Sequence, residues 1–226
     1  MTTTAEPAAP PSPRSRRRRI GFWIGVGMIL AGLALVGWLL WEFFGTNIVA
    51  RRDMHKNVQL FEQGSTLTDA QALIKIPRFG KDYVVPVYAG VSLGVLARGF
   101  GHFKDSADPG QRGNYALAGH RVTHGEPLRK MPELRPGDKI LVLTHDKTYV
   151  YRLDTNPNDL IVPFTSTWVV DPRPTNPTPG GVQPPRKYHR LITLTTCSEI
   201  FHTDNRMIAF GHLVKTIDEG ATKPLP

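Results

Sequence analysis

The sequence predicts a mainly β domain of about eight short strands closed into a barrel, behind one N-terminal membrane-spanning helix. Three observations lead there. From Ile74 onward, short apolar runs rich in β-branched and aromatic residues are bounded by Gly, Pro and Asp, the pattern of short strands joined by turns. That region has few segments long enough to be helices, which favours closure over a parallel sheet. Ahead of it, Ile20 to Trp41 is a stretch of 22 residues without a charge.

Taken in order, residues 1–19 hold Arg14, Arg16, Arg17, Arg18 and Arg19 against Glu6 in a Pro- and Ser-rich setting. This composition reads as a disordered basic tail. Residues 20–44 form the anchor: 22 uncharged residues at about 1.5 Å each cross a hydrocarbon core of roughly 30 Å. Trp23, Trp38 and Trp41 stand near its ends, as interfacial aromatics do. A cleaved signal peptide would have a shorter apolar run and a small-x-small site, which "FFGTNIVA" lacks. The arginine excess before the span puts the N-terminus in the cytoplasm and the remainder outside. Residues 45–73 are polar, with weak helical spacing at Val58, Leu60 and Phe61, and read as an extracellular stalk or short helix.

Residues 74–218 are the expected catalytic domain, and 219–226 a C-terminal tail. Its strands are read at "LIKIPRF", "YVVPVYAG", "NYALAGH", "DKILVLTH", "KTYVYRLD", "LIVPF", "RLITLTTC" and "RMIAFGHLV". "PGDK" and "HDK" are turn signals that make the fourth and fifth of these a hairpin. "GEPLRKMPEL" is the best short helix, broken by Pro132. The Pro- and Gly-dense segment 171–187 reads as an ordered loop or a flap. The net charge is +9, of which the tail supplies +4. With no basic stripe carrying interleaved aromatics, nucleic-acid binding is not expected.

Cys197 is the only cysteine, which excludes an internal disulfide. In an exported chain a lone thiol is either an inert packed side chain or a reactive group. Cys197 ends a strand, where a histidine could take its proton. His120 ends "NYALAGH" after a glycine; His124, in the next loop, is its rival, and His202 lies five residues past the cysteine. His55, His102, His145, His189 and His212 read as surface or packing residues. No metal-ligand spacing occurs, so neither metal nor cofactor is expected. Arg206 follows the cysteine by nine residues, and a β-hairpin would return it beside Cys197. There its guanidinium could hold a developing oxyanion, or it could pair with Glu199 or Asp204.

"TLTTC" (193–197), Arg206 downstream and "LAGHR" (117–121) upstream resemble the sortases, cysteine transpeptidases of Gram-positive bacteria. The likeness runs from "IKIPRFGKDYVVPVYAG" to "MIAFGHLV". It implies an eight-stranded sortase barrel with Cys197 as nucleophile, His120 as general acid/base and Arg206 positioning substrate and oxyanion. It implies that Thr196 lines the site with a substrate contact. Its partners would be exported proteins carrying a C-terminal sorting signal, cut at a Thr–Gly bond through a thioacyl-enzyme, and a peptidoglycan-precursor amine as acceptor. "GNYALAGHRVTHGEPL" and "TTCSEIFHTDNRMIAFGHL" are most similar to class E sortases of actinobacteria. Tyr115 stands where class A enzymes tend to carry an acidic residue; in class E a tyrosine there goes with Leu-Ala-x-Thr-Gly over Leu-Pro-x-Thr-Gly. Loop 171–187 falls where sortases place a substrate-contacting loop, and no acidic cluster resembles the calcium site of some class A members. The competing readings are a pilin-polymerising sortase, a sortase-like hydrolase and a non-catalytic membrane-tethered binding module. The oligomeric state is left open.

Overall fold

The computed structural model describes residues 13–41, 45–198 and 204–219, and these fall into two units that divide between residues 42 and 43. The first unit contains helix α1 (Pro13–Leu40). Its Arg19–Leu40 part is long and apolar enough to cross a membrane. The helix backbone starts inside the segment expected to be a disordered tail; residues 1–12 of that tail and most of the C-terminal tail lie outside the described residues.

The second unit opens with α2 (Thr46–Glu62), whose buried residues Ala50, Met54, Val58 and Phe61 form one helical stripe. The expected stalk is therefore in large part a docked helix. Ala50 and Met54 join the main core cluster, while Val58 and Phe61 pack with Leu73 and Tyr88. The strands follow: β1 (Ala72–Lys75), β2 (Val85–Ala89), β3 (Phe100–His102), β4 (Gly113–Ala118), β5 (Lys139–Leu143), β6 (Lys147–Leu153), β7 (Ile161–Pro163), β8 (Arg190–Cys197) and β9 (Asn205–Asp218). A short helix, α3 (Leu93–Leu96), precedes β3.

Neighbours run β6-β5-β1-β2-β3-β4-β8-β9, and a β6–β9 pairing closes the ring at eight strands. β9 is long enough to take β7 against Asn205–Met207 and β6 against Gly211–Asp218 on the edge opposite β8. The sequence therefore predicts the right barrel size with a different membership. "LIVPF" yields β7, which lies outside the ring, and the ring member β3 is not among the expected strands. β3 is three residues long and centred on Gly101, too short to show alternation. A Cβ at Gly101 would lie 2.4 Å from the Gly90 carbonyl oxygen, so only glycine allows that approach.

The expected hairpin is β5–β6, antiparallel from Lys139↔Arg152 to Leu143↔Thr148. Its turn is tied by Thr144, whose N–H and hydroxyl both reach the Lys147 carbonyl at 2.8 and 3.0 Å. "GEPLRKMPEL" forms only a 3₁₀ turn at Met131–Glu133. Two prolines and a left-handed Glu126 (φ 55°) interrupt any longer helix.

The wall built by β4, β8 and β9 positions the candidate site. Side chains alternate across a strand. Tyr115, Leu117, Ile192, Leu194, Met207 and Ala209 point into the barrel and belong to its core. On the outer face Ile208 and Phe210 pack under Leu160 and Val169.

Candidate active site

β4 and β8 run parallel, from Gly113↔Arg190 to Ala118↔Thr195. His120 lies two residues beyond the last paired residue of β4, and Cys197 two residues beyond its partner on β8. β8 and β9 are antiparallel, and their pairing ends at Cys197↔Arg206. Residues directly opposite share a face with Cβ atoms about 4.5–5.5 Å apart. Cys197 and Arg206 thus sit opposite each other on the outer face of β8 and β9, and together with His120, just past the end of β4, they line one cleft of about 610 Å³. His202 and Glu199 lie outside the described residues.

The backbone around this trio is well held. Gly119 N–H donates to the Thr195 carbonyl at 3.1 Å. The Thr196 hydroxyl donates to the Gly119 carbonyl at 2.7 Å. Gly119 sits against Leu128 and Phe100, where a Cβ would be only 3.2 Å from either. Leu128 N–H closes the loop that follows by bonding the His120 carbonyl at 3.0 Å. The Arg121 guanidinium donates to the carbonyls of Cys197 and Ser198, which fixes the end of β8.

Burial, the neighbouring His124 and the positive Arg206 together push the His120 imidazole down to about 4. The His124 ring stacks on His120 with centroids 5.0 Å apart. At neutral pH His120 is therefore uncharged, and it lines the same cleft as the half-buried Cys197 thiol. An imidazolium there, beside Arg206, would give its proton up readily.

The cleft is mostly apolar. Ala118 and Thr195 form its floor, and Val162, Phe164, Val169 and Val170 contribute to the far wall. That wall is fastened by a fully buried polar pair. Asn114 donates to the carbonyls of Val169 (3.2 Å) and Asp171 (3.1 Å), and Thr193 donates to the Asn114 side-chain oxygen at 2.8 Å. Sequence reasoning missed Asn114 and Thr193. Their signal was parity: each is an even number of residues from His120 or Cys197, hence on the same face.

The same parity separates the other expected contacts from the trio. Tyr115 is five residues from His120 and points to the opposite face; it is 1 % exposed, inside the barrel against His102 (rings 4.7 Å apart). It does not line the cleft. Thr196 borders the cleft, but its hydroxyl is turned to Gly119. Loop 171–187 is internally tied: Asn176 N–H reaches the Gln183 side chain, whose amide returns to the Asn176 carbonyl, both at 2.9 Å. The cleft wall comes from the residues just before that loop.

The histidines read as packing residues include several with defined neighbours. His145 stacks on Phe61. His212 contacts the Asp154 carboxylate at 2.7 Å and stacks on Tyr188.

The sortase domain family matches residues 74–214. Sortase SrtE1 of Streptomyces coelicolor is 35 % identical over 225 residues, a match spanning 89 % of this chain and 59 % of that protein's length. Sortase SrtE2 of the same organism is 26 % identical, over 89 % of this chain and 85 % of that protein. Among solved structures, sortase E from Streptomyces avermitilis superposes with a TM-score of 0.57 at 35 % identity, covering 69 % of this chain and 95 % of that one. Sortase E1 from Streptomyces coelicolor, solved with a tripeptide in its active site, gives 0.57 at 36 % identity, covering 69 % and 94 %.

Proposed function

The chain belongs to the sortase family, whose members are cysteine transpeptidases, and we propose that it cleaves a C-terminal sorting signal at Cys197 and passes the acyl group to an amine. The observation that carries this reading is that His120, just past β4, lines one apolar cleft with Cys197 at the end of β8 and Arg206 opposite it on β9. In the first step the Cys197 sulfur attacks the threonine carbonyl carbon while neutral His120 takes the thiol proton. The carbonyl electrons move to oxygen, where Arg206 offsets the negative charge. Collapse of the tetrahedral species breaks the Thr–Gly bond. The glycine amine leaves with the proton from His120, and a thioester remains on Cys197. An incoming amine attacks that thioester, His120 accepts its proton, and the regenerated thiolate is reprotonated as the new amide departs.

The preferred signal is Leu-Ala-x-Thr-Gly and the acceptor a peptidoglycan-precursor amine, in keeping with the class E relatives. Tyr115, inside the barrel, enters only through packing behind β4. The apolar part of α1 anchors the protein in the plasma membrane with the N-terminus cytoplasmic, a reading supported by the arginines at the helix's N-terminal end.

The test uses the full chain in detergent, a Leu-Ala-x-Thr-Gly peptide and an amine, read by intact and peptide mass spectrometry. An acyl adduct on Cys197 and an amine-capped product are expected, both absent in Cys197→Ala. Release of hydrolysed peptide without capped product would make the protein a hydrolase. An unmodified Cys197 with both the Ala and the Pro signal peptides would refute the reading.

A further inference from the structure

The loop that follows His120 contains three consecutive left-handed residues, His124 (φ 53°), Gly125 (φ 82°) and Glu126 (φ 55°). For residues with a Cβ this conformation costs on the order of 1–3 kcal/mol each, and it persists only where the surroundings enforce it. The enforcing element is α2. Asn47 donates its side-chain amide to the Val122 carbonyl at 3.1 Å and accepts from the Gly125 N–H at 2.7 Å. One side chain thereby bridges both ends of the turn, across 75 residues or more of sequence. One helical turn later Arg51 pairs with Glu126 at 3.0 Å. Met54 and Ala50 lie so close beneath Gly125 that a Cβ there would sit 2.8 Å from the Met54 methyl. The product of this bent turn is the placement of His124, whose ring stacks on His120.

We propose that Asn47 is a positioning residue for His120: its amide clamps the Val122–Gly125 turn and so keeps His124 stacked behind the imidazole that serves Cys197. The proposal rests on the transpeptidase reading given above. Among the described residues, the charged and titratable groups around His120 are His124 and Arg121 on its own loop, Cys197 on β8 and Arg206 on β9. α2 faces the loop with Arg51, which is engaged by Glu126. Releasing the turn removes His124 from that set and lets the imidazole swing.

The experiment compares wild type and Asn47→Ala as full chains in detergent with two readouts. The first is the pH titration of the His120 imidazole by NMR, which needs no substrate. Its midpoint is expected to rise from about 4 toward the ordinary histidine value. The second is acylation of Cys197 by the Leu-Ala-x-Thr-Gly peptide. Here kcat is expected to fall roughly 10- to 100-fold with KM unchanged, as small misplacements of a catalytic group produce. Asn47→Asp keeps the acceptor for Gly125 and is expected to fall between the two. A folded Asn47→Ala with unchanged titration and kcat, and only a lower melting temperature, would overturn the proposal. If Asn47→Ala does not fold, Arg51→Ala should move the titration in the same direction by less, and an unmoved midpoint there overturns it equally. Should wild type form no adduct with either peptide, the transpeptidase reading fails, while the titration still decides the clamp.

Discussion

Acidification isolates His120 as a source of stability. Its imidazole titrates near 4 in the folded protein, against 6.5 in an unfolded chain. Between those values the unfolded state binds more protons, so stability rises with pH. The contribution is complete above about 6.5 and is lost as the pH falls toward 4. At about 1.4 kcal/mol per pH unit, the interval caps the loss near 3.4 kcal/mol, and the half-open position of the ring brings it to roughly 2 kcal/mol. The assay is urea unfolding of wild type and His120→Gln, followed by near-UV circular dichroism at pH 7.5, 6, 5 and 4. Wild type should lose about 2 kcal/mol more than the variant over this range. Burial also pushes His102 down, but it is present in both proteins and cancels in the difference. Asp69 and Asp138, held low with Arg98 and Arg78 as their partners, begin to act only at the acid end of this window and, being present in both proteins, also cancel. Parallel curves, within about 0.5 kcal/mol, would refute the argument that the folded protein disfavours a charged His120.

Two further predictions concern the neighbours of the thiol. Arg206→Lys, which loses the planar fork, should lower the rate of Cys197 acylation about 10²- to 10³-fold, the cost of one oxyanion donor, with an unaltered melting temperature; near-normal acylation kinetics would remove Arg206 from the oxyanion role. Asn114→Leu strands the Asp171 carbonyl and leaves the Val169 carbonyl and the Thr193 hydroxyl with only each other, at 3.2 Å, a cost of about 1–3 kcal/mol for a stranded buried group. Urea unfolding should show a loss of at least that size, and peptide KM should rise as the Val169 wall loosens.

How much of this could be read in advance depends on which physical signal each feature leaves in the chain. The eight expected strands are all found because β-branched runs between turn residues mark them individually. β3 left no such mark: Gly101 there answers to the Gly90 backbone beside it, a contact visible only in three dimensions. α2 was half legible. Val58 and Phe61 show the stripe, but Ala50 and Met54 are separated by Arg51, Arg52 and Asp53, and what they pack against is a glycine turn far along the chain. Within the site, Cys197 and Arg206 were recoverable from hairpin geometry and His120 from the end of its strand. Tyr115 as a substrate contact conflicts with parity, being an odd step from His120 and on the inner face, whereas Thr196 borders the cleft with its hydroxyl turned to Gly119. That conflict was already available in the alternation of the strands.

Parity and register also explain why this part of the barrel tolerates little change. A parallel register joins β4 to β8 and an antiparallel one joins β8 to β9, and together they bring the end of β4, Cys197 and Arg206 to one edge of the wall. A slip of one residue in either pairing would turn the outer face inward and carry the thiol into the core. The contacts that resist such a slip are the backbone and hydroxyl bonds between Gly119, Thr195 and Thr196, and the Arg121 hold on the end of β8. Thr196 therefore matters through its hydroxyl, by locking the end of the strand that carries Cys197. The fold and the chemistry meet in that bond, because the hydroxyl that ties β8 to the residue before His120 sits one residue from the Cys197 sulfur.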